Sequence, residues 1–187
     1  MPETIIENIV NNLLQDRELR GNSTNWANWE SKLTGTTCKL CEEKHGTIYD
    51  ISILKYKIEI AAHQKCKCEY VPMRTLKVGT STDLGENGAD AYLVKYRKLP
   101  DYYIDKKSAI KAGWKKKLSK DLPGKMIGGD IYDNGNQKLP YSNGRIWYEA
   151  DINYVSGKRN RQRILYSNDG LIFVTYDHYH TFYEVTY

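Results

Sequence analysis

GRIWYEADINYVSGKRNRQRILYSNDGLI, residues 144–172, is the stretch that decides the fold. Its first part, RIWYEADIN (145–153), alternates: Ile146, Tyr148, Ala150 and Ile152 fall on one face, Glu149 and Asp151 on the other. A period of two predicts a half-buried strand. Gln162 to Ser167, Leu171 to Tyr176 and Thr181 to Val185 read as further strands, and Ser167-Asn168-Asp169-Gly170 reads as a tight turn. Upstream, Ala89 to Lys98 predicts a helix that stops at Leu99-Pro100, with Arg97 at its C-terminus, where a cation is favoured. A second helix is expected from Lys106 to about Ala112 before Gly113, and a third short piece at Ser119 to Leu122 before Pro123-Gly124. Helices first and then an antiparallel meander predict an α+β domain over residues 89–187.

The whole chain has 187 residues and is 40% hydrophobic, enough for one ordinary domain and a small accessory module, and too long for a mini-protein that needs staples. No apolar run approaches the roughly 18 residues of a membrane span. Glu3 and Glu7 with no basic run argue against a secretory leader, so the expected location is cytoplasmic, or outside the cell by a non-classical route. Charged residues of both signs make up 27%, which excludes wholesale disorder. Sixteen Tyr against two Phe suit a wet, sheet-rich surface. The net charge is +5: residues 1–80 carry 11 Lys/Arg and 10 Asp/Glu, residues 81–187 carry 17 and 13, so the excess lies in the second half. That excess points toward a polyanion without identifying one.

The first half is organised around four cysteines. Cys38 and Cys41 form a CxxC, Cys66 and Cys68 a CxC, and His63 lies three residues before Cys66. Paired thiolates at short spacing are what a tetrahedral Zn²⁺ requires, with His63 able to replace one of them; two disulfides or four reduced thiols are the alternatives. The missing leader favours a reducing compartment, and so the metal. Ile5, Ile6, Ile9, Val10, Leu13 and Leu14 predict an amphipathic helix, opened by the capping box Thr4–Glu7. After the breaker at 21–25, Trp26 and Trp29 suggest a second short helix, and Thr47 to Ile60 reads as strand or mixed structure. TGTTCKLCEEKHG (34–46) with HQKCKC (63–68) resembles a segment of minor capsid proteins of the phage Mu head-morphogenesis type. That resemblance covers about 35 residues and implies an adaptor joined to a C-terminal effector, with a phage or toxin-delivery component as partner. The polar, turn-rich residues 76–88 read as a linker, dividing the chain into 1–75 and 89–187.

LPDYYIDKKSAIKAGW (99–114), PGKMIGGDIY (123–132), the 144–172 stretch and DHYHTF (177–182) together resemble the barnase-like bacterial guanyl-preferring ribonucleases. Four separated motifs occur in order, from about residue 88 to the end of the chain. The resemblance implies N-terminal helices packed on a five-stranded antiparallel sheet, and metal-independent cleavage of single-stranded RNA. It implies Glu149 as general base, His178 as general acid, Arg159 and Arg163 as phosphate-binding groups, Lys106 as catalytic lysine and Tyr179 as an aromatic near the scissile nucleotide. It further implies a barstar-like acidic inhibitor and a structural ion pair between Arg145 and Asp169. Those roles match the chemistry: internal RNA cleavage needs a base for the 2′-OH, an acid for the departing 5′-oxygen and cations around the phosphate. Asp151 is expected to orient the arginines.

The loop that reads the base in such proteins falls at Asp133, Asn134, Gly135 and Asn136. Asn136 stands where the family has a carboxylate for guanine, and Gly135 where it has an arginine facing the inhibitor. The expectation is a guanine preference looser than the family's, with Asp133 as a candidate substitute and the backbone N–H groups around Asn134 retained. Three functions compete at this point: an RNA-cleaving toxin or phage-associated effector, a non-catalytic nucleic-acid-binding or phage structural protein that keeps the nuclease fold, and, least supported, a DNA nuclease using the cysteine-bound metal. The joint presence of Glu149, His178, Arg159, Arg163 and Lys106 favours the first.

Overall fold

The computed structural model of the chain describes Asn8, Asn11, Asn12, Gln15 and residues 24–32, 37–53, 67–115, 122–154 and 159–187. It divides into two compact units: Met1–Thr75 with Asn134–Tyr141, and Leu76–Asp133 with Ser142–Tyr187.

In the first unit, β1 (Trp26–Glu30) lies between β2 (Ile48–Asp50) and β3 (Glu69–Pro72), antiparallel to both. The short helix expected at Trp26 and Trp29 is therefore a strand. Its residues 26–29 are buried without interruption, so the polar alternation of a one-sided strand is absent and the two tryptophans, three apart, imitate a helical stripe. Each neighbouring strand supplies a tyrosine: Trp29 meets Tyr70 edge-on at 5.0 Å, and Tyr70 meets Tyr49 at 5.2 Å. Helix α1 (Lys39–Lys44) opens on Cys38, whose Sγ accepts the Cys41 N–H at 3.4 Å. The loop segment 134–141 closes the outer edge of β2, where the Ile48 N–H donates to the Lys138 carbonyl at 2.8 Å. Asn8, Asn11, Asn12 and Gln15 are helical and exposed, as the polar face of the expected helix requires; its apolar stripe lies outside the described residues.

The second unit contains β4 (Thr75–Lys77), a 3₁₀ turn (Gly85–Asn87), α2 (Ala89–Tyr96), β5 (Tyr103–Ile104), α3 (Lys106–Lys111), β6 (Met126–Tyr132), β7 (Trp147–Asp151), β8 (Arg163–Ser167), β9 (Ile172–Thr175) and β10 (Tyr183–Thr186). The sheet order is β4-β10-β9-β8-β7-β6-β5. The four strands read from the sequence are β7 to β10, and with β6 they form a consecutive antiparallel meander; the sheet has seven strands rather than the five that the resemblance implies. Each edge then gains a strand: β5 runs parallel to β6, and β4 adds to β10. Residues 76–88, expected as a linker, are folded into this unit rather than spanning between bodies. The third helical piece at 119–122 falls almost wholly outside the described residues.

Helix α2 covers one sheet face. Ala89 and Leu93 pack on Ala150, Ile152, Ile164, Ile172, Val174 and Val185; Ala150 and Ile152 lie on the face that alternation separates from Glu149 and Asp151. Burying each of the larger side chains contributes about 1.5–3 kcal/mol. The helix ends at Arg97, which adopts the left-handed conformation (φ 58°) and so stops further turns before Pro100.

The Gly128-Gly129 pair shapes the other face. Pairing shifts between Gly128↔Ala150 and Asp130↔Glu149, so Gly129 is an extra residue, at φ 95°. A side chain at Gly128 would sit 2.4 Å from the Ala150 Cβ, which only glycine avoids. The bulge brings Asp130 opposite Glu149, on the face away from α2.

Candidate active site

That face of β7 carries Trp147, Glu149 and Asp151. A strand face read in isolation predicts solvated carboxylates; here the Asp151 side chain is only 3% exposed and that of Glu149 15%. Cations account for both. Asp151 accepts two hydrogen bonds from Arg159, Nε at 2.6 Å and Nη2 at 2.8 Å, and its Oδ1 lies 3.0 Å from Arg163 Nε. One buried carboxylate thus fixes two guanidiniums, the orienting role expected of it. The Arg159 guanidinium also stacks over Trp114, 5.8 Å from the ring centre. Arg163 donates from Nη1 to the carbonyls of Asn160 (2.9 Å) and Gln162 (2.7 Å), which locks its fork.

Glu149 is held on both oxygens. Lys106 Nζ donates to Oε1 at 2.5 Å, and the Tyr179 hydroxyl donates to Oε2 at 2.7 Å. Burial pushes the Glu149 carboxyl up, but the Lys106 and Tyr179 hydrogen bonds and the charges of Lys106 and Arg163 outweigh it, and its pKa lies below the usual value. Lys106 is the first residue of α3, whose N-terminus is capped by Asp105 accepting the Ser108 N–H at 2.8 Å. Asp130 accepts the Lys106 N–H (3.1 and 3.2 Å) and lies 4.0 Å from its ammonium. The bulge, the helix start and the lysine are therefore one assembly.

His178 and Tyr179 occupy a turn in which both residues have positive φ, 64° and 69°. Two consecutive non-glycine residues in that region are strained and persist only where the surroundings over-determine them. Asp177 Oδ1 accepts from Thr175 Oγ1 (2.9 Å), His180 N (3.2 Å) and Thr181 N (2.9 Å), while Thr175 Oγ1 accepts the Tyr179 N–H at 2.9 Å. Tyr179 stacks on Tyr132, ring centres 5.4 Å apart. Burial and the charges of Arg163, Arg161 and His180 lower the His178 pKa; Glu149 opposes them.

Glu149, Lys106, Arg159, Arg163, His178 and Tyr179 all lie in the second unit, as does Asp133. Asn134, Gly135 and Asn136 belong to the first unit. There Asn134, at φ 49°, brackets Leu139, accepting its N–H (3.0 Å) and donating to its carbonyl (2.9 Å), and the Asn136 Oδ1 accepts the Lys138 N–H at 3.3 Å. The expected Arg145–Asp169 pair is present at 2.8 Å. Cys38, Cys41 and Cys68 lie in the first unit and are not linked to one another by disulfides; Cys66 and His63 lie outside the described residues. Among the described residues no three potential metal ligands come together. Sequence reading missed Asp130, Trp114, Thr175 and Asp177. The signal for Asp130 was the preceding Gly-Gly, which marks a bulge; for Asp177 it was a short side-chain acceptor at the start of a loop.

Residues 87–186 match the family model described as ribonuclease. Ribonucleases from Heyndrickxia coagulans, Bacillus intermedius and Bacillus pumilus are each 52% identical over 99 residues, 51% of this chain. The matched segment spans 91% of the first of these and 61% of the other two. With this match covering Lys106, Glu149, both arginines and His178, the chain belongs to the ribonuclease family.

Proposed function

We propose that this chain is an endoribonuclease that cleaves single-stranded RNA by transphosphorylation, without a catalytic metal. Glu149 removes the proton of a 2′-OH, the 2′-oxygen attacks the adjacent phosphorus, and the P–O5′ bond breaks as His178 protonates the departing oxygen. The products are a 2′,3′-cyclic phosphate and a 5′-OH. Arg159, Arg163 and Lys106 balance the charge that builds on the phosphoryl oxygens. The observation that carries this reading is the placement of Glu149 between the Lys106 ammonium and the Tyr179 hydroxyl, beside two arginines fixed by Asp151. The lowered Glu149 pKa keeps the base ionised at neutral pH. Glu149→Ala and His178→Ala are each expected to lower kcat on a dinucleotide by about 10²-fold or more, with EDTA present throughout. Full activity in both variants would overturn the assignment.

Base preference is proposed to lean to guanine through Asn136, Asp133 and the backbone N–H groups of Asn134 and Gly135, more loosely than a carboxylate would allow. An amide oxygen accepts without charge, and a charge-assisted bond is worth about 1.5–3 kcal/mol. Asn136→Glu is therefore expected to raise the GpA:ApA ratio of kcat/KM by one to two decades; an unchanged or lower ratio would show that residue 136 does not read the base. A basic phosphate site suits an acidic, barstar-like inhibitor, and a toxin or phage-associated setting follows from the adaptor reading of the first unit. For that unit we propose a structural Zn²⁺ on Cys38, Cys41, Cys66 and either Cys68 or His63. The Cys41 N–H donated to Cys38 Sγ is a bond that stabilises a thiolate. Native mass spectrometry reads the metal directly.

A further inference from the structure

Residues 76–83 precede the segment that matches the ribonuclease family, which begins at 87. They are nonetheless tied into the second unit at every step. Val78 N–H donates to the Thr186 carbonyl at 2.8 Å, continuing the β4–β10 edge. Asp90 is fully buried in the first turn of α2 and accepts from Gly79 N (2.7 Å), Ser81 N (3.2 Å) and Thr82 Oγ1 (3.1 Å). Gly88 makes that approach possible, since a side chain there would sit 1.8 Å from Thr82 Oγ1. The Ser81 carbonyl accepts from the Tyr176 hydroxyl at 2.9 Å.

The last link leaves the strap for the arginines. Asp83 N–H donates to Asn153 Oδ1 at 2.8 Å. Asn153, held at φ 54°, donates from Nδ2 to Gln162 Oε1 at 2.6 Å. Its carbonyl accepts from Asn160 Nδ2 at 2.7 Å, while Asn160 Oδ1 accepts the Gln162 N–H at 3.0 Å. The carbonyls of Asn160 and Gln162 are the two that hold the Arg163 fork, and Arg159 immediately precedes Asn160. Strap, Asn153 and arginine loop form one contiguous hydrogen-bonded chain.

We infer that the strap at residues 76–83 is a positioning element for the phosphate-binding arginines, coupled to them through Asn153. The inference rests on the reading of Arg159 and Arg163 as phosphate-binding groups. Asn153 is the hinge of the coupling: its side chain joins the strap to the loop, and its left-handed backbone is a conformation that asparagine tolerates better than most residues. Coupling of this kind is reciprocal. A phosphate that orders the arginine loop must also order the strap.

The test is amide hydrogen exchange on the full chain with and without saturating inorganic phosphate. Phosphate is expected to slow exchange at the loop 159–163 and, by about fivefold, at Gly79, Ser81 and Asp83. In Asn153→Gly, which keeps positive φ and removes both side-chain bonds, phosphate is expected to protect the loop alone. Asn153→Asp, which retains the acceptor for Asp83 and loses the donor to Gln162, is expected to behave likewise. Protection confined to 159–163 in the unaltered protein would overturn the coupling and leave the arginine assignment standing. Absence of phosphate protection anywhere would overturn that assignment, and the coupling with it.

Discussion

Glu149, flanked by an ammonium at 2.5 Å and a phenol at 2.7 Å, is the proposed general base, and its ionisation is expected to set one limb of the pH profile. The proposed reaction needs Glu149 ionised, so activity is expected to rise as pH passes upward through its pKa. It needs His178 protonated, so activity falls as pH passes upward through the histidine's. Both pKa values lie below their ordinary values, so both limbs of the kcat/KM bell are displaced to the acid side. Arg161→Ala removes one of the charges that lower His178, and is expected to move the alkaline limb upward while leaving the acid limb in place. A profile that does not move would remove Arg161 from the electrostatics of the acid. At this scale the sequence was informative where a motif was contiguous. WYEAD, KRNRQR and DHY fixed the expected roles of Glu149, Arg159, Arg163 and His178, and the pairing of Asp151 with the arginines was legible as well. Asp130 was not, because its importance comes from a bulge that places it opposite Glu149 across a different strand.

Among the elements, the strained turn at His178–Tyr179 does the most for its size. Its two left-handed residues are held by acceptors on Thr175, the last residue of β9, and Asp177, two residues beyond it. Thr175→Val keeps the shape of the fully buried residue and deletes both the acceptor for Tyr179 N–H and the donor to Asp177. We expect a stability loss of about 1–3 kcal/mol from the unpaired N–H, seen as a lower denaturation midpoint. We expect a larger relative loss in kcat, up to about 10²-fold, because an acid displaced by an ångström misses the leaving oxygen. Unchanged kcat would show that the turn does not position the histidine. The strands β7, β8 and β9 were readable from alternation and the turn at 167–170. Strand β6 does not stand out, since its two central glycines break the period, and β1 reads as a helix because residues 26–29 are buried without interruption.

For the whole molecule, the chain divides into two units, and the excess of positive charge lies in residues 81–187. The polar composition of 76–88 reads as a linker, yet the same glycines, serines and threonines serve a docked strap, because each supplies a tight turn or a short hydrogen-bonding group at a buried carboxylate. Composition alone does not separate the two uses; the partner, Asp90, sits on a helix several residues later. The central claim is that a ribose 2′-hydroxyl is the nucleophile and Glu149 its base. Its most direct test is to give the protein, with EDTA present, GpA and the same dinucleotide lacking only the guanosine 2′-OH, and to identify the products by mass spectrometry. The account predicts guanosine 2′,3′-cyclic phosphate and adenosine from the first and no cleavage of the second; cleavage of the deoxy substrate, or a linear phosphate as the first product, would contradict it.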